Sequence, residues 1–115
     1  MAIDKSLQTG STTMLLLKLL EEGDMYGYQM IETLAKRSDN TFSLKAGTLY
    51  PLLHNLEEAG LVTSYEKNAD SARVRKYYSI TQEGLKKLHD KQLEWEEYTT
   101  AVNMVLKGGV QHASF

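Results

Sequence analysis

The sequence predicts a mainly α fold with a small β-hairpin and a long C-terminal helix. Three observations carry this expectation. Apolar residues recur at i, i+3 and i+4 over most of the first 60 positions. Two stretches then alternate polar and apolar residues on either side of a polar segment, as a hairpin does. From Leu88 to Val105 the spacing returns to alternating fours and threes. At 115 residues and 13.0 kDa the chain is one small domain, or one domain with an extension. Such a chain can bury roughly two thirds of its unfolded surface, enough for a core of its own.

The first helix is expected over about Leu7 to Glu22, with Gly23 as its stop. Its centre, Met14 to Leu20, is apolar on nearly every side and must be surrounded. A second helix is expected over about Tyr26 to Arg37, with Tyr28, Ile31, Leu34 and Ala35 as its apolar face. A polar loop, Ser38 to Thr41, and a short extended piece, Phe42 to Leu44, follow. The third helix spans about Ala46 to Ala59, stopped by Gly60, with Leu49, Leu52, Leu53 and Leu56 facing inward. Pro51 removes one backbone bond inside it, and Gly47 is expected to relieve the clash through a bent first turn.

Leu61 to Glu66 and Arg75 to Ile80 read as two strands around a loose tip, Asn68 to Val74. Tyr77 and Tyr78 alternate faces, one for the core and one beside the hairpin. Thr81 caps the last helix, expected over about Gln82 to Lys107 and ended by Gly108-Gly109. Leu88, Lys91, Trp95, Tyr98, Val102 and Val105 form a seam along it that wants a second helix. The organisation expected is therefore 1–81 as a winged helix-turn-helix DNA-binding domain, 82–107 as a dimerisation helix and 108–115 as a flexible tail.

Composition excludes several functions. There is no cysteine, so disulfides, thiolate metal sites and a cysteine nucleophile are ruled out. The three histidines, His54, His89 and His112, fall in different elements without metal-ligand spacing, and no cofactor or metal is expected. Neither a Gly-rich phosphate loop nor a nucleophile-elbow pattern is present, so no enzyme is expected. The longest apolar run is too short to span a membrane, and no signal-peptide pattern opens the chain, so a cytoplasmic protein is the default.

A net charge of −2 argues against nucleic acid as a partner. That total conceals an uneven distribution. From Lys67 to Tyr78 four cations face one acid, a local +3, whereas Gln82 to Lys107 carries four lysines against five acids. The order helix, helix, helix, hairpin, long helix is that of a winged helix-turn-helix with an added arm, whose third helix enters the major groove. On that reading Lys45, Thr48, Tyr50 and His54 of the third helix and Arg73, Arg75 and Lys76 of the wing are the candidate DNA-binding residues. Tyr50 could equally pack the third helix on the second, Thr48 could be a local cap, and Arg75 and Lys76 could be strand-edge charges that deter aggregation. For dimerisation the candidates are Leu88, Trp95, Tyr98, Val102 and Val105.

Gly47-Thr48-Leu49-Tyr50-Pro51-Leu52-Leu53-His54-Asn55-Leu56-Glu57-Glu58-Ala59-Gly60-Leu61 closely resembles the recognition-helix signature of the PadR family of bacterial transcriptional regulators. So does Arg75-Lys76-Tyr77-Tyr78-Ser79-Ile80-Thr81-Gln82-Glu83-Gly84, and Tyr26-Gly27-Tyr28 and Gly10-Ser11 match the family's second and first helices. The similarity is to the short subfamily, with a single C-terminal helix. It implies a homodimeric repressor on an inverted-repeat operator of double-stranded DNA, often released by a small aromatic effector. Trp95 matches a tryptophan that flanks a ligand pore in multidrug-sensing relatives, and Met14, Leu15, Leu19, Tyr98 and Val102 would be the other walls. The bland reading of Trp95 is an interface anchor. The chain differs from the family's usual pattern at Asn55, where an arginine is common, at Lys45 and at Ala72-Arg73-Val74. A winged-helix module that binds a ligand or protein without specific DNA binding is the alternative.

Overall fold

A computed structural model describes residues 5–68 and 73–113. The order is α1 (Lys5–Glu22), β1 (Met25–Tyr26), α2 (Gly27–Arg37), α3 (Ala46–Glu58), β2 (Val62–Asn68), β3 (Val74–Ile80) and α4 (Gln82–Ala113). The mainly helical fold with one hairpin is therefore as the sequence predicts. The hairpin tip expected between the strands lies largely in 69–72, outside the described residues.

Helix α1 runs through the middle of the core. Leu16, Leu17, Leu19 and Leu20 are all buried, which is why its sequence is apolar all round. They pack with Met30 and Leu34 of α2, Leu49, Leu53 and Leu56 of α3, Val62 and Tyr78 of the sheet and Leu88 of α4. Arg37 grips the Glu22 carboxylate with both terminal nitrogens and ties the C-terminal ends of α1 and α2 together. On α2 the buried positions are Gly27, Met30 and Leu34, and the expectation for Tyr28 is corrected: it is exposed, one position out of the stripe.

The turn after α2 is held by Ser38, whose hydroxyl donates to the Leu34 carbonyl at 2.7 Å and accepts the Phe42 N–H at 3.0 Å. Asp39 and Asn40 take left-handed backbone conformations, which short polar side chains tolerate. Phe42 to Leu44 joins no sheet, and Phe42 and Leu44 pack against the core. Pro51 sits within α3, and the carbonyl deprived of its partner belongs to Gly47, which is exposed to solvent. Gly60, at φ +77°, reverses the chain after α3, and the Leu61 N–H closes on the Leu56 carbonyl at 3.0 Å.

The sheet has three antiparallel strands in the order β1-β3-β2. Val62 pairs with Ile80, Tyr65 with Tyr77 and Lys67 with Arg75, while Met25 and Tyr26 pair with Tyr78 and Tyr77. Two residues are too few to show alternation, so β1 left no trace in the sequence pattern.

Thr81 joins sheet and last helix as predicted. Its hydroxyl lies 2.8 Å from the Gly60 carbonyl and accepts the Gly84 N–H at 3.0 Å. Helix α4, about 48 Å long at 1.5 Å per residue, reaches well past the body. The molecule measures 68 × 32 × 21 Å, and its radius of gyration is 17.4 Å, against roughly 13 Å for a compact chain of this length. The expected helix end at Gly108-Gly109 is corrected: the backbone stays helical to Ala113. A glycine pair costs about 1 kcal/mol per residue in a helix without any clash that would stop it.

Candidate nucleic-acid interface

The N-terminal turn of α2, the exposed side of α3 and the hairpin enclose an open cleft of about 560 Å³. It is lined by Tyr26, Gly27, Tyr28, Glu32, Tyr50, Arg73, Arg75 and Lys76. Four of the residues singled out from the sequence, Tyr50, Arg73, Arg75 and Lys76, therefore converge from two distant stretches of chain. Lys45, Thr48 and His54 lie exposed on α3 but outside this lining.

Of the two roles considered for Tyr50, packing the third helix on the second is the one the structure contains. Its phenol end rests on Gly27, and a Cβ there would fall 2.7 Å from the ring Cζ, yet the side chain remains 45% exposed. The glycine in Tyr26-Gly27-Tyr28 is thus the residue that lets α3 approach the start of α2. His54 is exposed but not unengaged, since its Nε2 lies 2.7 Å from a Glu58 carboxylate oxygen one turn along the helix. Lys45 occupies the N-cap position of α3 in extended conformation and is exposed to solvent.

Three cations of the wing lie on aromatic rings. The Arg75 guanidinium is 4.4 Å from the Tyr26 centroid, Lys76 is 5.6 Å from Tyr78 and Lys67 is 5.5 Å from Tyr77. Tyr78 is the core tyrosine, and its burial raises the phenol pKa. Tyr77 lies beside the hairpin, edge-on to Tyr26 at 5.4 Å and stacked on Tyr65 at 5.7 Å. The Tyr65 hydroxyl donates to Asp24 at 2.7 Å, which raises the Tyr65 pKa. Lys67, Tyr26 and Tyr28 were missed as site residues. The signal for Lys67 was present in the two-residue alternation Tyr65, Lys67 and Arg75, Tyr77, whereas Tyr26 needed the pairing of β1 with β3.

The surface of α4 departs from the expected seam at one end. Leu88 is 1% exposed and belongs to this chain's own core, so its assignment to dimerisation is corrected: the seam's first turn packs on α1 rather than awaiting a partner. Beyond it Trp95 (44% exposed), Tyr98 (60%), Val102 and Val105 (81%) are open, with Trp95 and Tyr98 6.4 Å apart between ring centroids. Of the expected effector walls on α1, Leu19 is buried in the core, and Met14 and Leu15 are half-buried against it. Among the described residues no three His, Asp or Glu side chains form a metal-binding group, and no helix is long and apolar enough to cross a membrane.

Residues 16–90 match the transcriptional regulator PadR-like family. A solved PadR family transcriptional regulator from Eggerthella lenta is 35% identical, with a TM-score of 0.79 over 89% of this chain and 87% of that one. A transcriptional regulator from Clostridium thermocellum is 34% identical, also with a TM-score of 0.79, over 85% of this chain and 95% of its own. The negative transcriptional regulator PadR of Bacillus subtilis is 28% identical over 75 residues, 65% of this chain but only 41% of that protein.

Proposed function

The chain belongs to the PadR-like family of transcriptional regulators, and from that premise we propose that it is a homodimeric repressor of an inverted-repeat operator, released by a small aromatic effector. The observation that carries the DNA-binding part is the cleft that gathers Arg73, Arg75, Lys76 and Tyr50 beside the third helix. In this reading α3 lies in the major groove with Lys45 and Thr48 leading, and the wing cations hold the flanking backbone. His54 reaches a base or phosphate only by leaving Glu58, so its share of the affinity is small.

The dimer rests on the open stripe Trp95, Tyr98, Val102 and Val105, on an arm that leaves the body and is left exposed there by the described residues. An effector seated against Trp95 in that seam must bind the DNA-competent and incompetent dimers unequally to act. Negative regulation is supported by the name of the Bacillus subtilis relative.

A mobility-shift titration of the full chain on the DNA flanking its own gene tests the reading. Log affinity should fall with log salt by about 0.9 per phosphate neutralised, with a clear preference over random duplex. Salt-independent retardation, or equal binding to any duplex, rejects operator recognition and leaves the ligand- or protein-binding module.

A further inference from the structure

Lys67 and Arg75 stand directly opposite each other across β2 and β3. Like charges in that position repel and weaken a hairpin, since facing Cβ atoms are only about 5 Å apart. Among the described residues no carboxylate pairs with either cation. Of the described acids nearby, Asp24 accepts from the Tyr65 hydroxyl, Glu32 lines the cleft with Arg75 without an ion pair to it, and Glu66 is the cross-strand partner of Lys76 on the opposite face. What the two cations do have is a seat each: Tyr77 under Lys67 and Tyr26 under Arg75.

Those seats are rigid. Tyr26 meets Tyr77 edge-on, Tyr77 stacks on Tyr65, and the Tyr65 hydroxyl is anchored on Asp24, one residue before β1. The ring faces attract the cations but accept few of their N–H donors, which remain directed at whatever lies beyond the sheet. Two neighbouring cations that pair with no acid among the described residues are complementary to a single oxyanion group.

We infer that Lys67 and Arg75 form a two-cation clamp for one backbone phosphate of a DNA duplex, with Tyr77 and Tyr26 as the positioning residues that hold the two heads in place. The clamp adds Lys67 to the wing residues and makes Arg75 act jointly with it. The inference rests on the DNA-binding reading of the same surface.

The full-length protein, a 30-base-pair random duplex and a salt series test it. Lys67→Gln and Arg75→Gln should each weaken binding about tenfold, and each should lower the salt slope by about 0.9. The double variant should lose little more than either single one, because both remove the same phosphate. Tyr26→Phe keeps the ring face and should bind as the wild type does, whereas Tyr26→Leu should lose affinity several-fold. Without DNA, Lys67→Gln should fold and melt close to the wild type, since relieved repulsion and a lost ring contact offset each other; a loss of affinity that tracks a loss of folded protein overturns the clamp. Wild-type affinity and slope in Lys67→Gln overturns it too, as does a double variant whose slope falls by twice the single loss. A wild-type protein that shows no salt-dependent DNA binding at all fails the underlying reading instead.

Discussion

At the scale of single residues, two glycines show how close approach depends on what stands in the way. At Gly27 the obstruction is the end of the Tyr50 side chain, which can swing aside, whereas at Gly84 it is the Leu61 backbone carbonyl, with Ile80 Cγ1 2.6 Å away. Gly27→Ala is therefore expected to fold, at a cost of about 1 kcal/mol, while Gly84→Ala should cost about 3 kcal/mol or more because backbone must move. Urea denaturation of the two variants checks the order, and equal costs would mean that Tyr50 is as fixed as the backbone. Gly27→Ala should also weaken DNA binding if Tyr50 contacts the duplex from its present position. Both glycines stood in the motifs read from the sequence. Neither contact could be read there, because each joins residues more than 20 positions apart.

At the scale of elements, α4 is two things in sequence. Its first turns carry Gly84 and Leu88 into the core, and the remainder is an arm with open apolar side chains. The regular spacing from Leu88 to Val105 made these look like one seam, since periodicity reports which residues share a face and not what that face meets. Leu88→Ala should lower the unfolding free energy by about 2–5 kcal/mol at any protein concentration, through lost burial and the cavity left behind. Val105→Ala should leave the unfolding of the dilute monomer within about 0.5 kcal/mol of wild type. Chemical denaturation at two protein concentrations separates the two cases. The hairpin shows the opposite behaviour: alternation anticipated one tyrosine in the core and one beside the wing, and the structure makes Tyr78 the inner and Tyr77 the outer.

At the scale of the whole molecule, which is 68 Å long and 32 Å across, the arm leaves Trp95, Tyr98, Val102 and Val105 facing solvent in the single chain. An apolar stripe of this kind is expected to associate, and the melting temperature should then rise with protein concentration. Sedimentation velocity should show a dimer that dissociates on dilution, accompanied by a red shift of Trp95 emission as its ring meets water. A concentration-independent monomer would remove both the dimer and the seam pocket from the proposed function. The charge distribution belongs to this scale as well. The net −2 averages a local +3 from Lys67 to Tyr78 against an excess of acids elsewhere, chiefly before Lys67, so the total carries little information about any one surface.

The sequence by itself determined the four helices, the hairpin and the cations of the cleft, because periodicity, capping residues and short motifs are local signals that survive without a fold. It placed Thr81 as a cap and the leucines of α1 and α3 in the core. Only the tertiary structure decided that Leu88 serves its own core, that His54 is held by Glu58, and that Tyr26 pairs into the sheet beneath Arg75. Two of these depend on contacts between residues far apart in the chain. The His54 to Glu58 pair is local, but whether two exposed side chains meet is a choice of rotamer that residue spacing permits and does not dictate.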